Sequence, residues 1–166
     1  MNVACLQVEP VFKNKPESIS RVEALLNEIP QGQAVDLIVL PEMALIGYRF
    51  ESREDIAPFV EQAPVSLDEV LGSLEEEEEG EPCTFKWALR TSRRFSPAWV
   101  TVGFAEKDAQ DRYFNSALVI NHELRIFHVV RKVLLWADDK NWATLESSVS
   151  GIEYNFQHRD LFFPRL

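Results

Sequence analysis

The chain has 166 residues, of which 46% are hydrophobic and 11% aromatic, and this is enough to bury the core of one globular domain. The formal net charge of −10 argues against nucleic acids and anionic membrane surfaces as partners, since both attract clusters of Lys and Arg. The N-terminus carries no pattern of a secretory leader, and no apolar run approaches the roughly 20 residues that cross a bilayer, so we expect a cytoplasmic protein.

Cysteine and histidine are sparse in this chain. Two cysteines, Cys5 and Cys83, and three histidines lie far apart in the sequence. They are too few for a disulfide scaffold, and their spacing matches no metal-ligand pattern. We therefore expect reduced thiols, no metal and no other cofactor.

The first elements alternate between strand and helix. Residues 2–8 show the alternation of a strand, and residues 13–30 carry apolar side chains at helical spacing. The helical positions are Ile19, Val22, Leu25, Leu26 and Ile29. The apolar run 37–40, which ends at Pro41, is typical of a strand covered on both faces. We expect it to pair in parallel with the first strand.

The elements that follow are two helices and three strands. Residues 52–62 predict a short helix, and residues 84–95 predict a longer one. The three predicted strands cover residues 98–106, 114–121 and 124–130. Residues 121–123 can form the hairpin turn between the last two strands.

An acidic segment, residues 66–82, separates the two helices and contains a run of glutamates. These side chains repel one another and have little apolar surface to bury. We interpret the segment as a solvated loop insertion, and the alternative is an acidic docking segment.

Two ionisable residues stand just beyond strands that the pattern predicts to be buried. Glu42 follows residues 37–40 and Pro41, and Lys132 follows residues 124–130. A strand holds such a side chain rigidly, while the loop after it leaves room for a ligand. By position alone, each is more often a solvated loop residue or a cap than part of a site.

A family resemblance resolves this choice. Residues 36–50, DLIVLPEMALIGYRF, resemble the glutamate motif of the carbon-nitrogen hydrolases, the nitrilase superfamily, in which an aliphatic strand ends in Pro-Glu and a Gly-Tyr follows. Residues 100–132 are similar to the segment that leads to the lysine motif of that family, and the two motifs come in the family's order. Residues 136–143, WADDKNWA, resemble the branch that removes the side-chain amide from N-terminal asparagine or glutamine of proteins.

The resemblance implies an α/β fold, a four-layered α-β-β-α sandwich. This chain would hold roughly its first half, a mixed sheet with helices on one face. It also implies a Cys-Glu-Lys triad, in which Glu42 is the general base and Lys132 stabilises the oxyanion. Tyr48, from the Gly-Tyr of the motif, is a candidate supporting residue. Asp139 is another, because many members place a second glutamate a little beyond the lysine and an aspartate can substitute for it.

The nucleophile of the triad is missing from this chain. The family places its cysteine after the lysine, and no cysteine follows Lys132. Cys5, on the first strand, and Cys83, before a helix, fit a core thiol and an incidental thiol better than a nucleophile. We therefore expect this chain to be inactive.

The resemblance divides the chain into a partial carbon-nitrogen hydrolase domain, residues 1–146, and a tail, residues 147–166. The tail does not resemble the family, and we expect it to pack less well than the strands before it. Two explanations stay open, namely a gene model that runs into an intron or past a frameshift, and a genuine truncated product.

The expected function is that of a relative of the amidases that act on protein N-termini. The partner is then an amide substrate, in the first case a protein or peptide N-terminus. Alternatives are a small-molecule amidase or nitrilase-like hydrolase, and a non-catalytic interaction fragment. An incomplete sandwich exposes an apolar sheet face and unpaired strand edges, so self-association is also expected.

Overall fold

The computed structural model describes residues 1–72, 82–96 and 98–146, together with the backbone of residues 152–156 and 159–163. The strands are β1 (Val3–Cys5), β2 (Leu37–Val39), β3 (Glu61–Gln62), β4 (Trp99–Lys107), β5 (Tyr113–Asn121), β6 (Ile126–Arg131), β7 (Ile152–Phe156) and β8 (Arg159–Phe163). The helices are α1 (Lys15–Asn27), α2 (Arg53–Ile56), α3 (Leu67–Gly72) and α4 (Thr84–Arg94), with 3-10 turns at Ala57–Phe59 and Ala137–Asn141.

A mixed sheet organises these elements in the order β1-β2-β4-β5-β6, and β3 pairs with the far end of β4. Strands β1, β2 and β4 are parallel, whereas β4, β5 and β6 are antiparallel neighbours. Strand β2 pairs with β4 at Trp99 to Thr101, and β3 pairs with β4 at Glu106 and Lys107. The chain between β2 and β3 therefore leaves the sheet beside the middle of β4.

The helices cover one face of this sheet. Helix α1 buries Val22 and Leu26 completely, and α4 buries Ala88 and Leu89, all in one core with residues of β2, β4 and β5. The opposite face carries a separate, smaller cluster around Trp99. The expected mixed sheet with helices on one face is confirmed.

Side chains cap the starts of α1 and α4. The Asn14 side chain accepts a hydrogen bond of 3.0 Å from the backbone N of Glu17, which caps α1. Helix α4 is capped from outside, since the backbone N of Thr84 donates to Glu61 at 2.7 Å. Lys15, which is only 3% exposed, donates to the same carboxylate at 2.5 Å. Glu61 thus ties α1, β3 and α4 together.

Two predicted elements differ from the structure. The helix expected over residues 52–62 divides into α2, a 3-10 turn and β3, because Val60 is extended and the next two residues pair with β4. The loop expected over residues 66–82 is wrong for its first part, where α3 buries Leu67 and Val70 in the core. The run of glutamates that follows lies outside the described residues.

The tail contains the β7-β8 hairpin, a separate antiparallel sheet in which Ile152 lies opposite Phe163. How its side chains pack lies outside the described residues, so the expected poor packing stays a prediction. In the part of the chain that the structure describes, no helix has the length and apolar character needed to cross a membrane.

Candidate active site

Glu42 lies on the loop that follows β2, and a glycine in β4 determines how closely this loop approaches the sheet. A Cβ added at Gly103 would lie 2.6 Å from the backbone N of Met43 and 3.0 Å from the Cα of Glu42. Any side chain at this position would collide with backbone. Gly103 therefore lets Glu42 rest directly on the middle of β4.

Lys132 directly follows β6, and the residue before it anchors the end of that strand. Arg131 donates to the buried carboxylate of Glu106 through Nε at 2.9 Å and through Nη2 at 2.5 Å. The same guanidinium lies 3.8 Å from the ring centroid of Phe114. The backbone N of Lys132 donates to the carbonyl of Asn115 at 2.8 Å. The backbone at Lys132 is therefore fixed by its own hydrogen bond to Asn115 and by the side-chain contacts of the preceding Arg131.

Four side chains meet on the sheet face opposite the helices, and we call Glu42, Asn115, Lys132 and Asp139 the Glu42 cluster. Lys132 Nζ donates to Glu42 Oε1 at 2.6 Å and to Asp139 Oδ2 at 2.7 Å. Asn115 Nδ2 donates to Glu42 Oε1 at 2.5 Å and to Asp139 Oδ1 at 3.0 Å. The exposed fractions of the side chains are 37% for Glu42, 19% for Lys132 and 8% for Asp139. Glu42 is therefore the carboxylate that is open to a ligand.

The charges of the cluster keep Lys132 protonated. Burial lowers the pKa of Lys132, but its hydrogen bonds with Asp139 and Glu42, and the charges of both, outweigh burial and raise the pKa above its ordinary value. Lys132 is thus an ammonium at neutral pH, which donates hydrogen bonds and does not act as a base.

Tyr48 stands at the rim of the cluster, with 42% of its surface exposed. Partial burial raises the pKa of its phenol, and the charges of Glu42 and Asp139 and a hydrogen bond to Glu42 raise it further. The phenol therefore stays protonated at neutral pH beside Glu42.

The chemical capacity of the cluster follows from these states. A partly exposed carboxylate can accept a proton, and a fixed ammonium beside it can stabilise a developing oxyanion. The two carboxylates and one ammonium leave a formal charge of −1. Within the described residues, no group of three or more His, Cys, Asp or Glu side chains could hold a metal ion.

The two thiols lie elsewhere. Through β2, the pairing of the strands aligns Cys5 of β1 with Thr101 of β4. Thr101 lies four residues before Ala105, which pairs with Asn115 of β5. At about 3.3 Å per residue and 4.8 Å per strand, Cys5 is roughly 20 Å from Asn115 along the sheet. Cys83 lies at the start of α4, where burial raises the pKa of its thiol. Cys5 therefore lies far from the Glu42 cluster along the sheet, and the raised pKa of Cys83 disfavours its thiolate.

The structure brings together all four side chains that the sequence singled out, Glu42, Tyr48, Lys132 and Asp139. Their catalytic roles stay predictions. The sequence analysis missed Asn115 and Gly103. An asparagine and a glycine inside otherwise apolar strands are both unfavourable there, and such an exception to strand propensity is the signal that could have identified them.

Comparisons with known proteins agree with one another. A family model described as carbon-nitrogen hydrolase matches residues 2–154. The protein N-terminal amidase of Saccharomyces cerevisiae is 28% identical over 145 residues, which are 86% of this chain and 28% of that protein. The protein N-terminal amidase of Schizosaccharomyces pombe is also 28% identical, over 87% of this chain and 46% of its own length. A nitrilase of Pyrococcus abyssi is 32% identical over 72% of this chain and 38% of its own length.

Solved structures share the fold. A crystal structure of N-terminal amidase superposes with a TM-score of 0.75 at 24% identity, over 96% of this chain and 37% of that one. An amidase from Nesterenkonia sp. superposes with a TM-score of 0.65 at 14% identity, over 98% of this chain and 54% of that one. This chain therefore spans less than half the length of the curated relatives it matches.

Proposed function

This chain belongs to the carbon-nitrogen hydrolase family, and from that premise we propose that its Glu42 cluster supplies the general base and the oxyanion-stabilising lysine for hydrolysis of a side-chain amide. The substrate we propose is the N-terminal asparagine or glutamine of a protein or peptide. The observation that supports this most directly is the 2.6 Å contact between Lys132 Nζ and Glu42 Oε1, with Asp139 on the other side of the ammonium.

The roles follow from the charge states. Glu42 accepts the proton of a cysteine thiol, and the thiolate attacks the amide carbon while the Lys132 ammonium stabilises the oxyanion. Glu42 then returns the proton to the departing nitrogen, so that ammonia leaves and a thioester remains. Water activated by the same carboxylate breaks the thioester, which releases the acid and restores the thiol.

The charge of the cluster favours peptide N-termini among possible amides. A free α-ammonium is attracted to a site of formal charge −1, whereas a neutral amide gains nothing from it. The relatives described as protein N-terminal amidases support the same choice, as do structures of N-terminal amidase with Gln-Gly, Gln-Val and Asn-Glu peptides. The nitrilase relative favours the second candidate, a small-molecule amide or nitrile.

Catalysis needs a nucleophile, and we infer that neither Cys5 nor Cys83 supplies one at the cluster. A unit of catalytic groups that lacks its nucleophile loses nearly all of its chemical advantage. We therefore expect the purified chain to release no ammonia from peptides with N-terminal asparagine or glutamine, or from simple amides. Turnover that disappears in a Cys5→Ala, Cys83→Ala double variant would overturn this expectation and would identify the nucleophile.

Binding tests the substrate class without turnover. NMR signals of the Glu42 cluster are followed while an Asn-Glu peptide, its N-acetylated form and a simple amide are added in turn. We expect the free peptide to shift these signals, the acetylated peptide to shift them much less, and Glu42→Gln, which brings the formal charge of the cluster to zero, to weaken the response to the free peptide. The matched control is Asp111→Asn, which removes a carboxylate that pairs on the surface with Lys107. Equal responses to the free and acetylated peptides would refute recognition of the N-terminus.

A further inference from the structure

The side-chain amide of Asn115 bridges the two carboxylates of the Glu42 cluster, which Lys132 also bridges. We propose that Asn115 is a positioning residue that holds Glu42 and Asp139 at a fixed separation with both carboxylates ionised. Its use in catalysis rests on the proposed function, whereas the hydrogen bonding that we propose to test does not.

The number of hydrogen-bond donors that the two carboxylates need explains why residue 115 is an asparagine. The Asn115 amide nitrogen has two hydrogens, and each can serve one carboxylate. Lys132 uses two of its three hydrogens in the same way, so two nitrogens and two carboxylates close a ring of four hydrogen bonds. Placed in the same position, an aspartate would add a third anion and a leucine would donate nothing.

The position of Asn115 gives the bridge its rigidity. Asn115 lies in β5, between β4 and β6, is only 2% exposed and pairs with Ala105 of β4. Its carbonyl accepts the hydrogen bond from the backbone N of Lys132 at 2.8 Å. One residue therefore holds the lysine by its backbone and both carboxylates by its side chain.

The consequence concerns the protonation of the base. Two carboxylates that share one ammonium repel each other, and in such a pair one member tends to take up a proton. The amide of Asn115 opposes this, because hydrogen bonds to a carboxylate favour its ionised form. Tyr48 also lies near this pair, and the charges of both carboxylates raise the pKa of its phenol. A protonated Glu42 could not accept the proton of a nucleophile, so loss of Asn115 would disable the proposed base.

The unaltered chain gives the first test. The carboxyl carbons of Glu42 and Asp139 and the Nδ2 hydrogens of Asn115 are followed by NMR between about pH 3 and pH 8, the range in which carboxylates titrate. We expect both Asn115 hydrogens to shift in step with the two carboxyl groups. Amide signals that stay constant through that titration would overturn the proposal, whether or not any variant folds.

Variants give the second test. We expect Asn115→Leu to raise the apparent midpoint of the carboxyl pair by about one pH unit, and Asn115→Ser, which retains one donor, to raise it less. The matched control is Asn27→Leu, whose asparagine accepts from Arg94 on the surface and is expected to leave the midpoint unchanged. A folded Asn115→Leu with the parent's midpoint would reduce Asn115 to a structural residue. Because this measurement needs neither peptide nor turnover, its failure is distinguishable from failure of the proposed function.

Discussion

Gly103→Ala tests how the sheet places the proposed base. The added Cβ would lie 2.6 Å from Met43 N and 3.0 Å from Glu42 Cα, and both are backbone atoms that no rotamer change can move away. Normal contact begins at about 3.5 Å, so the loop after β2 must retreat by about 1 Å. If the loop moves directly away from Lys132, the 2.6 Å distance between Glu42 Oε1 and Lys132 Nζ lengthens to about 3.6 Å, which is too long for a hydrogen bond.

The energetic cost of this substitution has two opposing parts. Forcing an extra methyl group into a packed site costs about 1–3 kcal/mol, and contact with rigid backbone places Gly103 near the upper end. Replacing a strand glycine by alanine returns about 0.5–1 kcal/mol, because the unfolded chain loses freedom. We therefore expect the free energy of unfolding to fall by about 2 kcal/mol.

The assay combines urea unfolding, followed by circular dichroism, with an NMR titration of the Lys132 ammonium. In Gly103→Ala we expect a lower midpoint of unfolding and a Lys132 pKa shifted down towards its ordinary value, because Glu42 has moved away. The control is Gly72→Ala, since a Cβ there meets nothing within 4 Å. Its helical position predicts stability that is unchanged or raised by up to about 1 kcal/mol. Parent-like stability and an unchanged Lys132 titration in Gly103→Ala would refute the argument from close approach.

The remaining predictions concern charge. The folded state raises the pKa of Lys132, so its contribution to stability is complete below its unfolded pKa of about 10.4 and is lost as the pH rises through the folded value. Unfolding measured from neutral to alkaline pH should show the parent losing stability more steeply above that pKa than Lys132→Met, and parallel curves would contradict this. Glu106→Gln should lower the free energy of unfolding by about 2 kcal/mol, less than a fully buried pair would cost, because water reaches part of the Arg131 side chain. Breaking the exposed Arg94–Glu23 pair with Arg94→Gln should cost less than about 1 kcal/mol. Equal losses of stability in Glu106→Gln and Arg94→Gln would refute the expected difference between a mostly buried and an exposed ion pair.

Local patterns were sufficient for the elements whose apolar spacing is strong. Helix α1 lies within the range predicted from its helical spacing, and β2 lies within the apolar run that Pro41 closes. The motif resemblance likewise named Glu42 and Lys132, which the structure places in contact. Such features are carried by neighbouring residues, so the sequence contains them without reference to the rest of the fold.

Only the tertiary structure decided the features that depend on distant partners. Strand β3 has two residues and exists because β4 offers it an edge, and α3 is helical where its buried residues meet the core. Asn115 lies 73 positions from Glu42 in the chain, and nothing in the spacing of either indicates that the two side chains meet. The length and charge pattern of the chain limit the kind of protein it can be. The positions of its donors and acceptors, however, are set by strand register, because one amide can serve two carboxylates only where the sheet brings three separate segments to the same point.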